Sequence, residues 1–257
     1  MNDYEREHAR ILRQFGAECT VLLRSDGAFP LDGPCDLALY GSGARGTIKG
    51  GTGSGEVNSR YFVTVEEGLE AAGFRVTGKS WMDRYAALYA QAKKRFVRDL
   101  KRSALKRGTL AILDSMGAVM PEPEYELPLD ADGEACIYVL SRISGEGSDR
   151  RPVQGDILLT ETEKRDILAL NEKYEKFLLV LNVGGAVDLS PVMEVRNILL
   201  LSQLGVETGN ILADIILGRS TPSGKLTTIW STWGDYPDVG SFGEKDDTRY
   251  KEGVYVG

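Results

Sequence analysis

Apolar runs alternate with amphipathic segments along almost the whole chain. Strands are predicted where apolar residues follow one another, as in strands buried on both faces of a sheet: 20–24, 36–41, 74–78, 135–142, 177–185, 197–205 and 225–230. Helices are predicted where apolar residues recur at three- and four-residue spacing: 2–16, 65–73, 80–107, 160–176 and 208–219. Strands and helices therefore follow each other in turn.

This alternation predicts an α/β fold: a largely parallel sheet flanked by helices on both faces, which is a three-layer α/β/α sandwich. We expect a single domain over 1–257, with an N-terminal helix at about 1–18 and a loop-rich C-terminal tail at about 231–257. Ligands of such sheets bind outside the carboxyl ends of the strands. Four loops are therefore predicted to share one functional edge: 41–58, 142–155, 183–190 and 202–209.

The composition is that of a globular protein with an acidic balance. The 257 residues are 42% hydrophobic and carry a formal net charge of -7, which disfavours nucleic acid and anionic membranes as partners. A basic run from Lys93 to Arg107 is interpreted as a solvated helix face, because Phe96 is the only aromatic residue within it. No stretch is long and apolar enough to span a bilayer.

Cysteine and histidine usage argues against several kinds of site. The three cysteines, Cys19, Cys35 and Cys136, are isolated and show no C-x-x-C spacing, and His8 is the only histidine. A disulfide framework, a metal site and a His-based catalytic triad are therefore not expected, nor is any cofactor. Isolated thiols fit a reducing compartment, and we expect a cytoplasmic location.

The first clearly buried strand runs directly into GSGARG, Gly41 to Gly46, a literal G-x-G-x-x-G. In a dinucleotide-binding fold this turn leads into a helix whose N-terminus takes the pyrophosphate. Here glycines recur up to Gly55, too densely for a helix to begin. The acidic residues at the expected distance, Glu66 and Glu67, fall inside a predicted helix rather than at a strand end. The pattern favours a long glycine-rich loop over a phosphate-binding turn.

This glycine-rich loop, residues 41–58, carries polar side chains on the predicted functional edge. Lys49, Thr52 and Ser54 are candidate substrate-binding or loop-support residues. Loops of this length without regular structure are usually functional or form an interface. The three tryptophans, by contrast, are predicted to pack in the core rather than stack on a ligand: Trp81, Trp230 and Trp233.

Several segments together resemble one known family. In chain order they are TVLLRSDGAFPL, GTIKGGTGSGEVN, SRISGEGSDR, VLNVGGAVDLSP, ADIILGRSTPSGKL and RYKEGVYVG. They resemble the second, α/β-sandwich domain of family 3 glycoside hydrolases of the β-glucosidase type, from about residue 16 to the end. The most specific pieces are L-G-x-x-x-P-S-G-K-L, Leu217 to Leu226, and S-G-E-G-x-D-R, Ser144 to Arg150.

The resemblance implies a retaining β-glycosidase that removes terminal non-reducing sugars from β-glycosides, with one active site shared by two domains. In that family the nucleophilic aspartate belongs to a (β/α)₈ barrel domain, and the general acid/base is the glutamate of the S-G-E-G loop, here Glu146. Asp149 and Arg150 complete the motif and would support the loop or contact an outer sugar. Without the resemblance, two simpler interpretations stay open. Glu146 would be a polar turn residue, and Asp149 and Arg150 would form an ion pair on the surface.

A (β/α)₈ barrel takes about 250 residues on its own, so this chain has no room for one. We therefore expect a domain that is inactive alone, with a carbohydrate as substrate and the barrel domain of the same protein as partner. Met1 and the helix after it suggest a domain-reversed arrangement, with the barrel downstream. Two alternatives stay open: a nucleotide- or dinucleotide-binding module, and a non-catalytic carbohydrate-binding or interaction domain. The sequence leaves homo-oligomerisation open.

Overall fold

The computed structural model describes residues 1–107, 118–144 and 150–236. Its helices are α1 Asp3–Phe15, α2 Val65–Ala71, α3 Lys79–Arg107, α4 Glu161–Lys173 and α5 Thr208–Ile216. Its strands are β1 Val21–Arg24, β2 Asp36–Tyr40, β3 Arg75–Thr77, β4 Ala135–Arg142, β5 Phe177–Val183 and β6 Ile198–Leu200. Each of these elements falls within a predicted segment or within one residue of it.

The strands form one six-stranded sheet in the order β1-β6-β5-β4-β2-β3. All neighbouring pairs are parallel except β1, which runs antiparallel to β6. Every residue of β5, in the middle of the sheet, is buried. The largely parallel sheet is therefore confirmed, and its continuous apolar strands match burial on both faces.

Helices cover both faces of this sheet. Tyr40 and Tyr138 are register partners on β2 and β4. The ring of Tyr40 meets Trp81 of α3 edge to face at 5.5 Å, and the hydroxyls of Tyr138 and Tyr125 lie 3.2 Å apart. Tyr125 in turn accepts a hydrogen bond from Thr162 of α4. Helix α5 packs against both α1 and α2, and the three form the second helical layer. The sandwich is therefore confirmed.

Two details of the sequence prediction are wrong. Residues 225–230 were predicted as a last strand, but they pair with no strand in the described part of the chain. Gly224 N–H donates to Thr20 O, and Leu226 and Ile229 beyond it are exposed. An apolar run forms a strand only where the edge of a sheet is free to pair with it. Trp233 is 42% exposed, so it does not pack in the core as Trp81 does.

Other predictions concern the chain ends and the surface. Helix α1 and the short 3₁₀ turn Gly16–Cys19 together match the predicted N-terminal helix. Part of the predicted loop-rich tail, 237–257, lies outside the described residues. All three cysteines are free thiols. Within the described ranges no helix is both long and apolar enough to cross a membrane.

The crossing of α2 and α5 depends on two glycines. A Cβ on Gly209 would lie 1.9 Å from the carbonyl oxygen of Thr64, and one on Gly68 would lie 2.2 Å from the backbone of Gly209. The backbones meet directly there, and no flexible side chain can move aside.

We predict that Gly209→Ala destabilises the protein by about 3 kcal/mol, because the extra methyl group forces the two helices apart. Urea unfolding followed by circular dichroism measures the change. Gly33→Ala is the matched control, since a Cβ there meets no atom within 4 Å. Equal midpoints for the two variants would show that the helix crossing adapts.

Candidate functional site

The four loops predicted to share one edge do meet there. Thr52 N–H donates to Ser144 O at 3.1 Å, which joins the glycine-rich loop to the loop after β4. Gly205 N–H donates to Lys49 O at 2.9 Å, which joins the same loop to the segment after β6. A Cβ on Gly184 would lie 2.0 Å from Ser144 Oγ, so the loop after β5 packs closely against this group.

Asn182, a residue of the sheet, binds two of these loops by hydrogen bonds. This fully buried residue lies near the carboxyl end of β5. Its Oδ1 accepts from Ile48 N at 2.6 Å, and its Nδ2 donates to Ile48 O at 2.9 Å and to Ser202 O at 2.7 Å. Ser202 has a φ of 61°, a left-handed conformation that is uncommon for residues other than glycine.

The GSGARG turn lies directly against β4 and does not form an open cradle. Gly41 has a φ of 94°, and a Cβ there would lie 2.4 Å from Val139 O. Gly43 N–H donates to the same carbonyl at 2.9 Å. Close packing against Val139 thus explains why glycine stands at 41 and 43. The G-x-G-x-x-G pattern can be accounted for without a bound phosphate.

Helix α2 follows the turn only after a long loop, and its N-terminal amides are already used. Val65 N–H donates to Thr47 Oγ1 at 2.9 Å, and Glu66 N–H donates to Ala44 O at 3.1 Å. A pyrophosphate bound there would have to replace these bonds. The geometry therefore disfavours the dinucleotide-binding alternative.

The candidate polar residues of the glycine-rich loop have different surroundings. Lys49 Nζ donates to Val57 O at 2.6 Å and contacts Ser59 Oγ, so its charge stabilises the loop itself. Thr52 Oγ1 is buried and has no hydrogen-bond partner among the described residues. Ser54 lies exposed in the 3₁₀ turn Gly53–Gly55. Their roles toward a substrate stay predictions.

Glu146 and Asp149 lie outside the described residues, but both ends of their loop are described. At the first end, Ser144 is held by Thr52 and Gly184 as above. At the second end, Arg150 Nε donates to Asp156 Oδ1. Arg150 Nη1 and Nη2 are buried and have no hydrogen-bond partner among the residues described.

Asp156 joins three parts of this region. Besides Arg150, its carboxylate accepts from Arg151 N at 2.7 Å, and its backbone carbonyl accepts from Arg142 Nε at 2.9 Å. Its side chain is largely buried. Arg142 ends β4 and Arg150 follows the S-G-E-G segment, so one residue binds both sides of that segment. Asp156 lies just beyond the predicted loop 142–155, and no local pattern of the sequence singles it out.

A buried ion pair supports the same region from the sheet. Arg142 Nη2 donates to Glu163 Oε2 at 2.6 Å, and both side chains are almost wholly buried. Glu163 also accepts from Thr160 N at 2.9 Å, in the capping box that begins α4. The Thr160–Glu163 spacing is a capping signature that can be read from the sequence, whereas no local pattern indicates the second bond of Glu163, to β4.

A cavity of about 500 Å³ lies at the carboxyl ends of β2 and β4, beside helix α3. Glu122 lines it, and Tyr85 Oη donates to Glu122 Oε1 at 2.7 Å. Burial, reinforced by the carboxylate of Glu163, raises the pKa of Glu122 to about 8. The described part of the chain contains no group of three or more His, Cys, Asp or Glu that could hold a metal ion.

Comparison with known proteins assigns a family to this arrangement. A family model described as the glycosyl hydrolase family 3 C-terminal domain matches residues 20–257. Beta-glucosidase A of Butyrivibrio fibrisolvens is 30% identical over 98% of the chain, and a beta-glucosidase of Ruminococcus albus is 28% identical over 100% of it. The structure of beta-glucosidase 3B from Thermotoga neapolitana in complex with glucose superposes with a TM-score of 0.73 at 32% identity.

The matched region is one part of longer proteins. The alignments cover 32% of the Butyrivibrio protein and 26% of the Ruminococcus protein. The superposition covers all of this chain and 36% of the Thermotoga chain. The chain thus spans between about a quarter and about a third of the length of these relatives.

The raised pKa of Glu122 predicts a pH dependence of stability. The folded state keeps this proton up to about pH 8, whereas the unfolded carboxyl loses it near its ordinary pKa of 4.5. The stability contributed by the neutral acid is therefore complete below about pH 4.5 and is lost as the pH rises to about 8. Urea unfolding at about pH 5, 6.5 and 8 should show this loss in the parent protein and a flatter curve in Glu122→Gln.

Glu124 provides a control of opposite sign. Burial alone would raise the pKa of its carboxyl, but hydrogen bonds from Thr162 and from Glu161 N outweigh burial and lower it. Its stabilising contribution is present above its ordinary pKa and is lost as the pH falls through the lowered value. The charge of Glu124 is only the smallest cause of the raised pKa of Glu122, so Glu124→Gln should leave most of the loss between pH 5 and 8 intact. The prediction fails if Glu122→Gln keeps the parent's slope.

Proposed function

Because this chain belongs to the family of glycosyl hydrolase family 3 C-terminal domains, we propose that it supplies the general acid/base of a retaining β-glycosidase. The substrates are β-glycosides, with β-glucosides first among them, from which a terminal non-reducing sugar is removed. The observation that carries the proposal is the anchoring of both ends of the S-G-E-G segment at the meeting point of four loops.

Glu146 is the proposed acid/base residue. A retaining mechanism needs one carboxyl group that protonates the leaving oxygen and then activates water, about 5–5.5 Å from the nucleophile. The segment that bears Glu146 lies in the sequence between Ser144 and Arg150, and both of these residues are placed at the carboxyl edge of the sheet. Fixed ends restrict where a short segment can carry its side chain. This supports a carboxyl group delivered across a domain boundary.

The nucleophile would come from a (β/α)₈ barrel of the same protein. The two beta-glucosidases named above are about three to four times as long as the matched region, which leaves room for such a barrel. The chain alone would then be inactive, since one carboxyl group cannot both attack and protonate. The cytoplasmic location expected from the free cysteines stays a prediction. Sequencing the gene beyond codon 257 tests for the barrel directly.

Replacing Glu146 by alanine in a protein that carries the barrel should lower kcat/KM by about 10²–10⁴-fold for glycosides with poor leaving groups. The loss should be much smaller for activated aryl glycosides, whose leaving oxygen needs little protonation. Azide should restore turnover of the activated glycosides, because it attacks the glycosyl-enzyme without a general base. It should not rescue substrates with poor leaving groups, because their glycosyl-enzyme forms too slowly without the acid.

Glu194→Ala is the matched control, because Glu194 is exposed before the amino end of β6, at the opposite edge of the sheet. The chain of 257 residues should show no turnover in either form. Unchanged kinetics in Glu146→Ala would remove this residue from the mechanism and favour a non-catalytic carbohydrate-binding domain.

Asp156 is predicted to be a positioning residue for the Glu146 loop. In the barrel-bearing protein, Asp156→Asn should lower kcat by about 10–100-fold with little change in KM, because a carboxyl displaced by about 1 Å transfers its proton poorly. The loss should be larger for poor leaving groups than for activated ones. A variant that is only less stable, with the parent's leaving-group dependence, would contradict this role.

Asp188→Asn serves as the comparison. Asp188 lies on the same edge and accepts from Ser190 N at 2.8 Å and from Trp233 N at 3.0 Å, but it makes no contact with Arg150 or Arg151. Its replacement should leave the leaving-group dependence unchanged.

A further inference from the structure

The cavity beside α3 has the position and size of a small-molecule site. It lies outside the carboxyl ends of β2 and β4, where Ser42 and Ser141 line it. Ligands of parallel sheets bind at this edge. A volume of about 500 Å³ falls within the range of about 300–1,000 Å³ typical of ligand pockets.

One wall of the cavity is aromatic and rigid. Tyr85 and Tyr89 of α3 line it together with Met82. The ring of Tyr85 stacks on Trp81 at 5.3 Å with an interplanar angle of 2°, and meets Tyr125 edge to face at 5.4 Å. A wall held by neighbouring rings loses little freedom when a ligand packs against it, so it suits a flat apolar ring.

The polar groups of the lining are mostly bound to other protein groups. Ser42 Oγ and Ser141 Oγ lie 2.9 Å apart, and Arg45 pairs with Glu66 and Asp83. Arg142 and Asp156 are engaged as described above. A sugar, with a hydroxyl on nearly every carbon, would leave several groups unpaired here. A ligand with a single polar group would not.

Glu122 is the polar group best placed to meet such a ligand. It lines the cavity next to Tyr85, and its backbone is fixed by the 2.8 Å bond from Glu122 N to Gly155 O. A Cβ on Gly155, whose φ is 81°, would lie 2.3 Å from Glu122 O, so the backbones touch. Its carboxyl, protonated near neutral pH as shown above, can exchange hydrogen bonds with a hydroxyl group.

Charge around the cavity disfavours ionised ligands. Arg45, Lys93 and Arg142 line it and oppose an ammonium group. Both arginines are already paired with carboxylates of the protein, and Asp156 also lines the cavity, so a ligand carboxylate would lose water without gaining a free partner arginine. From these contacts we propose that the cavity binds a small, uncharged aromatic alcohol, with its ring against Tyr85 and Tyr89 and its hydroxyl at Glu122. The proposal does not depend on glycoside hydrolysis, since binding is measured on this chain without turnover.

Titration of the chain with benzyl alcohol, followed by protein NMR shifts, tests the proposal. We expect saturable binding with a Kd on the order of 1 mM or below, and shifts centred on residues of the cavity. Benzylamine, benzoate and glucose, titrated in the same way, should bind at least tenfold more weakly.

Two alanines of α3 make a matched pair of variants. Both are exposed, but Ala86 lines the cavity and Ala87 does not. Ala86→Trp should fill the cavity and abolish binding, whereas Ala87→Trp should keep the parent's Kd. Tyr85 is too deeply packed for this purpose. Absence of saturable binding, equal Kd values for the two variants, or tighter binding of glucose than of benzyl alcohol would overturn the proposal.

Discussion

The functional edge of the sheet depends on the hydrogen bonds of the Asn182 carboxamide. It makes both possible backbone bonds to Ile48 and a third bond to Ser202, all from a strand with no solvent access. Without this side chain, three backbone groups would lose their partner, at about 1–3 kcal/mol for each that stays buried. The glycine-rich loop and the segment after β6 are therefore held in register with the centre of the sheet.

From this fixed point the edge is assembled by close backbone contacts. The glycine-rich loop reaches Ser144 through Thr52 and reaches Gly205 through Lys49. Glycines at 41 and 184 allow backbone or side-chain atoms to approach more closely than any Cβ would permit. A pattern that resembles a phosphate-binding turn is thus used to pack one loop against its neighbouring strand.

Charged groups then stabilise the base of the S-G-E-G segment. Arg142 is paired with Glu163, and both are bound to neighbouring backbone, so the desolvation of each charge is offset by hydrogen bonds as well as by its partner. Asp156 extends this network to Arg150. The network therefore fixes the chain on both sides of the segment, at Arg142 and at Arg150.

Much of the fold follows from local pattern. The apolar runs, the capping box at Thr160 and the alternation of strands and helices determined nearly every element, and the parallel sheet followed from the topology. The meeting of the four loops was also predictable, because parallel strands place their carboxyl ends together. Residues 225–230 show the limit: β-pairing needs a partner, and local sequence does not reveal whether a sheet edge is available.

The side chains of the site also divide into those that a sequence motif indicates and those whose contacts arise only in the folded protein. Sequence motifs by themselves determined the family resemblance and pointed to Glu146, because S-G-E-G-x-D-R is a local signature. Tertiary structure alone decided the contacts of Asn182, Asp156 and Glu122. Their partners are separated from them by up to 134 residues in the case of Asn182 and Ile48. Burial, ion pairing and a shifted pKa arise only when distant segments exclude water together, and no single segment encodes them.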